Sequence, residues 1–206
     1  MRFLVLDAAL SRSLAALVED GHVVAERVAE GAHGQAAALP PLAEAVLQGE
    51  IDAVAVGVGP GSFTGLRTAI SLAQGLAAAR GIPVMAVTTG EALAAAEHGP
   101  GPVWAATENR RGQLFLERFA PGLRAEGGPV VVEEDALPQP EVLTRLVGDG
   151  APRAASRMAA RGWPVALGDG RGIDAAALAR VAARRFSGEL PGRAAEPLYV
   201  EPPATT

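Results

Sequence analysis

Four glycines, Gly57, Gly59, Gly61 and Gly65, sit between an apolar run at residues 51–58 and a stretch with helical periodicity, with Ser62 and Thr64 among them. Glycines let a backbone turn sharply and come close to a neighbour. A serine or threonine oxygen can cap the helix that follows. The unpaired N–H groups at a helix start also suit an anion. Three enzyme motifs nevertheless fail on spacing. A dinucleotide fingerprint GxGxxG counted from Gly57 finds Ser62 where its third glycine belongs. A phosphate loop GxxxxGK[ST] counted from Gly61 finds Leu66 at its sixth position, and the chain has no lysine. A nucleophile elbow GxSxG finds Pro60 two residues before Ser62. A capped strand-to-helix turn with no ligand accounts for the same residues.

Other groups with chemical potential are scattered. Asp7 ends the first apolar run, where a carboxylate can point into a cleft. His22, His33 and His98 form neither HxxxH nor HExxH, so no two ring nitrogens share a helix face. His22 reads as a solvated turn tip and His33 as a helix-start residue. Gly148-Asp149-Gly150 and Gly168-Asp169-Gly170 fit nucleotide loops and tight turns equally well. No transition-metal site and no catalytic residue are expected.

The background is that of a soluble domain. Of 206 residues, 49% are hydrophobic, enough for a substantial core. There is no cysteine, hence no disulfide framework. Asp7 breaks the N-terminal apolar run, which makes a poor signal peptide, and no uncharged apolar stretch reaches the ~18 residues of a membrane span. A cytoplasmic location is expected. Residues 1–100 carry 5 arginines against 10 acids, and residues 101–206 carry 13 against 13. Neither half has the basic footprint of a nucleic-acid binder, so any RNA would have to be gripped by another protein.

The elements that must position these residues follow from pattern. Residues 3–6, 14–18 and 23–28 read as three strands of an antiparallel meander. A helix is predicted over 35–48, with Leu39, Leu42 and Val46 on one side; Pro40 and Pro41 either kink it or mark its first turn. A strand over 51–58, a helix over 64–80, a strand over 83–87 and a helix over 91–97 follow. This is an α/β sheet with antiparallel strands at one side. Gly99-Pro100-Gly101-Pro102 marks a boundary, dividing an N-terminal subdomain 1–104 from a C-terminal subdomain 105–206 whose extended tail returns to the first. Strands are predicted at 103–106, 113–119 and 130–132, with weaker ones at 143–147 and 165–167; helices are predicted around Met158 and over 175–186.

Helix 64–80 is apolar over an unusually wide arc. At ~100° per residue, Leu66, Ile70, Ala73 and Ala77 share the side that packs on the sheet. Ala69, Leu72, Leu76 and Ala79 form a second apolar side with Thr68 and Gly75 near it, and only Arg67, Ser71 and Gln74 make a polar strip. A helix of this kind is covered twice. The second cover is helix 35–48, another chain, or both.

The run Gly59, Pro60, Gly61, Ser62, Phe63, Thr64, Gly65, Leu66 and Arg67 resembles the hallmark of the TsaB family, also called YeaZ. The resemblance takes in Asp7, the approach DAVAVGVGPGS, Gly81-Ile82-Pro83-Val84, Thr88, Pro197 and Tyr199, and covers most of the chain. It implies an actin/Hsp70/sugar-kinase (ribonuclease H-like) fold of two related subdomains. It also implies a non-catalytic role: pairing with the catalytic subunit TsaD, which works with the ATPase TsaE to place threonylcarbamoyl on adenosine 37 of tRNAs reading ANN codons. Members pair through their first two helices, so Leu39, Leu42, Val46, Thr68, Ala69, Leu72, Gly75 and Leu76 are the expected partner interface, usable for a homodimer as well. No cofactor is expected beyond a nucleotide at the joint with TsaD, and tRNA is met only indirectly. The chain departs from the family at Ala8-Ala9, where hydroxyl residues usually follow the aspartate, at His33-Gly34-Gln35, and at Val200-Glu201. Two enzyme readings compete. A sugar-kinase type needs phosphate-binding hydroxyls after the first strand, which Ala8-Ala9 lacks, and a peptidase-like protein needs a nucleophile with a base.

Overall fold

A first strand that is apolar along its whole length must be covered on both faces. The computed structural model, which describes residues 1–31, 35–109 and 111–200, places it accordingly. In β1 (Arg2–Asp7), alternate side chains point to opposite faces: Phe3 and Val5 enter one core, Leu4 and Leu6 another. β1 pairs antiparallel with β2 (Arg12–Glu19), and β2 with the edge strand β3 (His22–Glu30). After α1 (Gln35–Val46), β4 (Ala53–Gly59) returns parallel to β1; after α2 (Phe63–Arg80), β5 (Val84–Thr88) lies parallel to β4. The order is β3-β2-β1-β4-β5. α1 runs through Pro40 and Pro41 without ending. The reading of His33 and Gly34 at its start, like that of Glu201, lies outside the described residues.

The second half repeats the plan. Following α3 (Thr89–Ala96), the strands are β6 (Val103–Glu108), β7 (Leu114–Ala120), β8 (Arg124–Ala125), β9 (Val130–Val132), β10 (Thr144–Val147) and β11 (Val165–Leu167). Their order is β11-β10-β6-β7-β8, with β9 also on β7. The first strand is again central, antiparallel to the second and parallel to the later two. A 3-10 turn at Glu134–Ala136 and α4 (Ala151–Ala160) take the places of α1 and α2, and α5 (Ala175–Phe186) that of α3. Two such units joined in tandem make the actin/Hsp70/sugar-kinase-like, ribonuclease H-like fold.

Among the described residues, three apolar clusters hold the layers. α1 and α2 cover the outer face of the first sheet through Leu39, Val46, Leu66 and Ile70. α4 covers the second sheet through Ala154 and Met158. α3 and α5 lie between the sheets, where Val5 and Leu14 of the first meet a core shared with Phe119 and Val147 of the second and Leu178 of α5. Among the described residues, no helix is long and apolar enough to cross a membrane.

Candidate functional site

The turn between β4 and α2 is built against the turn after β1. The Ser62 N–H donates to the Ala9 carbonyl at 2.7 Å, and Thr89 Oγ1 donates to the Pro60 carbonyl at 2.8 Å. Gly59 has φ +102°, in the region that favours glycine, and the Gly59–Pro60 peptide is cis. Gly61 does not have positive φ; it is required because a β-carbon there would collide with the Ala9 carbonyl oxygen. Gly57 makes the same allowance for the carboxylate of Asp7. Ser62 caps α2, its Oγ accepting from Gly65 N at 3.3 Å, while the Ser62 carbonyl accepts from Leu66 N at 2.9 Å. Where a phosphate loop would open after β1, the backbone of Ala9 is packed against this turn, and Ala8 and Ala9 are both buried.

The side chains of Phe63 and Arg67 engage each other and Tyr199. The Arg67 guanidinium lies 3.9 Å from the centre of the Phe63 ring, and its Nε donates to the Tyr199 hydroxyl at 2.9 Å. Tyr199 stacks on Phe63 with centroids 5.6 Å apart. The chain beyond α5 runs back along α2: Gln74 Nε2 donates to the Ala195 carbonyl at 2.9 Å, and Leu198 N donates to the Val58 carbonyl at 2.8 Å.

The expected interface residues divide into two sets. Leu39, Val46 and Ala69 are fully buried, packed in the chain's own core between the helices and the sheet, so they support the face from beneath and are removed from the partner-contacting set. Leu42, Thr68, Leu72 and Leu76 are half-buried and Gly75 is exposed. These five form a continuous outward arc of α2 with the neighbouring edge of α1. Thr68 Oγ1 is turned onto its own helix, donating to the Thr64 carbonyl at 3.0 Å.

Buried acids mark the joint between the sheets. Asp7 accepts from Ala9 N at 3.1 Å through Oδ2, while its buried Oδ1 has no partner among the described residues. Burial pushes its pKa up to about 7, against the opposing pull of the Ala9 N–H and the Arg12 charge. Glu117 of β7 was not singled out by sequence. It accepts from Thr88 Oγ1 at 2.9 Å, and burial likewise pushes it up to about 7, with the nearby Glu91 charge adding to the rise. Glu91 is paired: it closes a capping box with Thr88 and meets Arg185 of α5 at 2.8 Å. The T-x-x-E spacing of Thr88 and Glu91 was a readable helix-start signal; the partners Arg185 and Glu117 were not.

The remaining candidates are structural in their settings. Asp149 Oδ1 accepts from Glu108 N at 3.0 Å, Asp169 N donates to Glu97 at 3.0 Å, and Gly148 N donates to the Gly170 carbonyl at 2.7 Å, so the two Gly-Asp-Gly turns brace each other. His22 and His98 are exposed. Among the described residues, no group of three or more His, Asp or Glu side chains is placed to hold a metal ion.

Comparison with known proteins places the chain. Residues 28–167 match the family model described as TsaD: tRNA N6-adenosine threonylcarbamoyltransferase. An uncharacterized protein of Mycobacterium tuberculosis is 35% identical over 164 residues, covering 76% of this chain and 75% of that protein. The tRNA threonylcarbamoyladenosine biosynthesis protein TsaB of Escherichia coli is 33% identical over 154 residues, covering 69% of this chain and 64% of that protein. The solved structure of YeaZ from Pseudomonas aeruginosa superposes with a TM-score of 0.77 at 27% identity, over 96% of this chain and 100% of that one. With the 59–67 turn, the tandem sheet plan and these relatives agreeing, the chain belongs to the TsaB (YeaZ) family.

Proposed function

We propose that this chain is a non-catalytic partner subunit in the formation of N6-threonylcarbamoyladenosine at position 37 of tRNAs reading ANN codons. In this reading it binds the catalytic subunit TsaD through the outward arc of α2 and the adjoining edge of α1. TsaE joins the pair, a nucleotide lodges at the joint with TsaD, and tRNA is met only through the assembly. The carrying observation is the arc itself: Leu72 and Leu76 of α2 and Leu42 of α1 are left half-buried beside exposed Gly75, while the sheet side of α2 is covered by its own chain. A glycine and a threonine in that arc permit close approach of a second helix. The turn chemistry supports the non-enzymatic side of the reading: the Ser62 hydroxyl serves as the α2 cap, and the turn after β1 is filled by the 59–61 backbone.

Leu72→Arg tests the reading. An unpaired charge at the centre of such a contact costs ~3 kcal/mol or more, on the order of a hundredfold in affinity. The variant should keep its circular dichroism and melting temperature and lose association with TsaD in sedimentation velocity. Full-strength association by a folded variant would sink the interface. Association of the chain only with itself would redirect the face to a homodimer, and ATP hydrolysis by the chain alone would favour the sugar-kinase reading.

A further inference from the structure

The glycines of the 59–67 segment are accounted for by the turn they build, but Phe63 and Arg67 are not. Both face away from the turn, towards the chain's last described residues. Four hydrogen-bonded anchors hold that returning segment, beside a longer ion pair of Arg193 with the buried Glu91 at 3.8 Å. The Pro191 carbonyl accepts from Arg185 Nε at 2.8 Å, the Ala195 carbonyl from Gln74 at 2.9 Å, and Leu198 N donates to Val58. These three use backbone groups of the segment and would accept many sequences. The fourth is a side chain: Tyr199 is stacked on Phe63 and accepts from Arg67, whose guanidinium lies over the same phenyl ring. The ring contact fixes the guanidinium so that its Nε points at the tyrosine hydroxyl.

The position of this segment matters because of what it borders. At about 100° per residue, Leu66, Ile70, Ala73 and Ala77 occupy the sheet side of α2. Phe63, Arg67 and Gln74 occupy the next side, under the returning segment, and Thr68, Leu72 and Gly75 the side after that. Arg67 and Gln74 of the polar strip of α2 therefore have the chain's own tail as their partner, and exposed Ser71 separates that side from the open arc. Phe63 remains 49% exposed and Tyr199 45% exposed, so the pair also presents apolar surface beside that arc.

We infer that residues 191–199 are a strap that completes the partner-binding face, and that Phe63, Arg67 and Tyr199 are the latch that fastens it. The strap and latch stand on the contacts within this chain; their part in binding rests on the reading that the outward arc of α2 meets a TsaD-type partner. Phe63 and Arg67 thereby couple the end of the sequence to the interface helix.

The test compares the full-length chain with Tyr199→Ala and Tyr199→Phe. Arg193 lies in the strap with its side chain about one third exposed, so tryptic cleavage of the 193–194 bond, followed by mass spectrometry, reports strap release. Loss of the aromatic pair and its cation should speed that cleavage about tenfold in Tyr199→Ala. Tyr199→Phe keeps the stack, loses the acceptor and should fall between. Affinity for TsaD by calorimetry should drop in the same order while melting temperatures stay close. Unchanged cleavage in Tyr199→Ala overturns the latch, and faster cleavage with unchanged affinity removes the strap from the interface. Failure of the unmodified chain to bind TsaD instead defeats the underlying reading, while the cleavage comparison still decides the latch.

Discussion

Glu117 carries a carboxyl group into a place where ionising it is expensive. It is 3% exposed, its donors are the neutral Thr88 hydroxyl and the Gly90 N–H, and burial with the Glu91 charge outweighs these and the pull of Arg193. Asp7 is in the same condition at the end of β1. Each acid holds its proton more tightly in the folded chain than in the unfolded one, so the folded chain binds more protons between the ordinary carboxylate range and about pH 7. Stability should fall as pH rises through that window and level off above it. Glu117→Gln removes one of these titrations, leaving Asp7 and Asp149, which burial also raises. At pH 8 it should be more stable than the unmodified chain by roughly 1–3 kcal/mol, and at pH 4 the two should be close. Urea melts at both pH values measure this, and a Glu117→Gln chain with an undiminished pH slope would show that the acid ionises freely. At Gly61 the expectation is steric. Gly61→Ala already places a β-carbon against the Ala9 carbonyl, so it should cost about 1–3 kcal/mol, read as a lower melting temperature, and Gly61→Val at least as much.

α1 and α2 each present two kinds of apolar residue that sequence periodicity groups together. Leu39 is fully enclosed, whereas Leu42, one turn on, is half-buried at the rim. The same division separates Ala69 from Leu72 on α2. Leu39→Ala should cost about 2–5 kcal/mol through the cavity it leaves. Leu42→Ala and Leu72→Ala should cost well under half of that and act on association instead. Chemical denaturation of the three variants alone, set beside their binding, separates support from contact. A Leu72→Ala chain destabilised as much as Leu39→Ala would place Leu72 in the internal core.

The two sheets share α3 and α5, and this sets how the chain behaves as a body. α5 comes from the far end of the sequence yet packs with residues of β1 and β2. We propose 1–104 and 105–206 as subdomains that stabilise one another rather than as independently folding units. The fragment 1–104 would expose Phe3, Val5, Leu14 and Ala16, all buried in the whole chain. It should precipitate or melt without a cooperative transition, while the intact chain melts in one step by calorimetry. A soluble fragment with a sharp melt would assign the shared core a minor role.

By itself the sequence determined the elements, because their rules are local. Alternating apolar runs, helical periodicity and the Gly-Pro punctuation are short-range signals, and the strands and helices fall within a few residues of where those signals place them. It also determined the family, since the nine residues from 59 to 67 and their approach are contiguous. What covers each face was decided only by the tertiary structure. Periodicity states which residues share a side of a helix but not what lies against it, so Leu39, Val46 and Ala69 read as outward and proved inward. The Thr88–Glu117 contact joins residues 29 apart and the Arg67–Tyr199 contact residues 132 apart. No local pattern encodes such pairings; they exist because the folded sheets bring those segments together. Gly61 makes the same point on a single atom: its necessity lies in the backbone of Ala9, 52 residues earlier in the numbering, and not in its own dihedral angles.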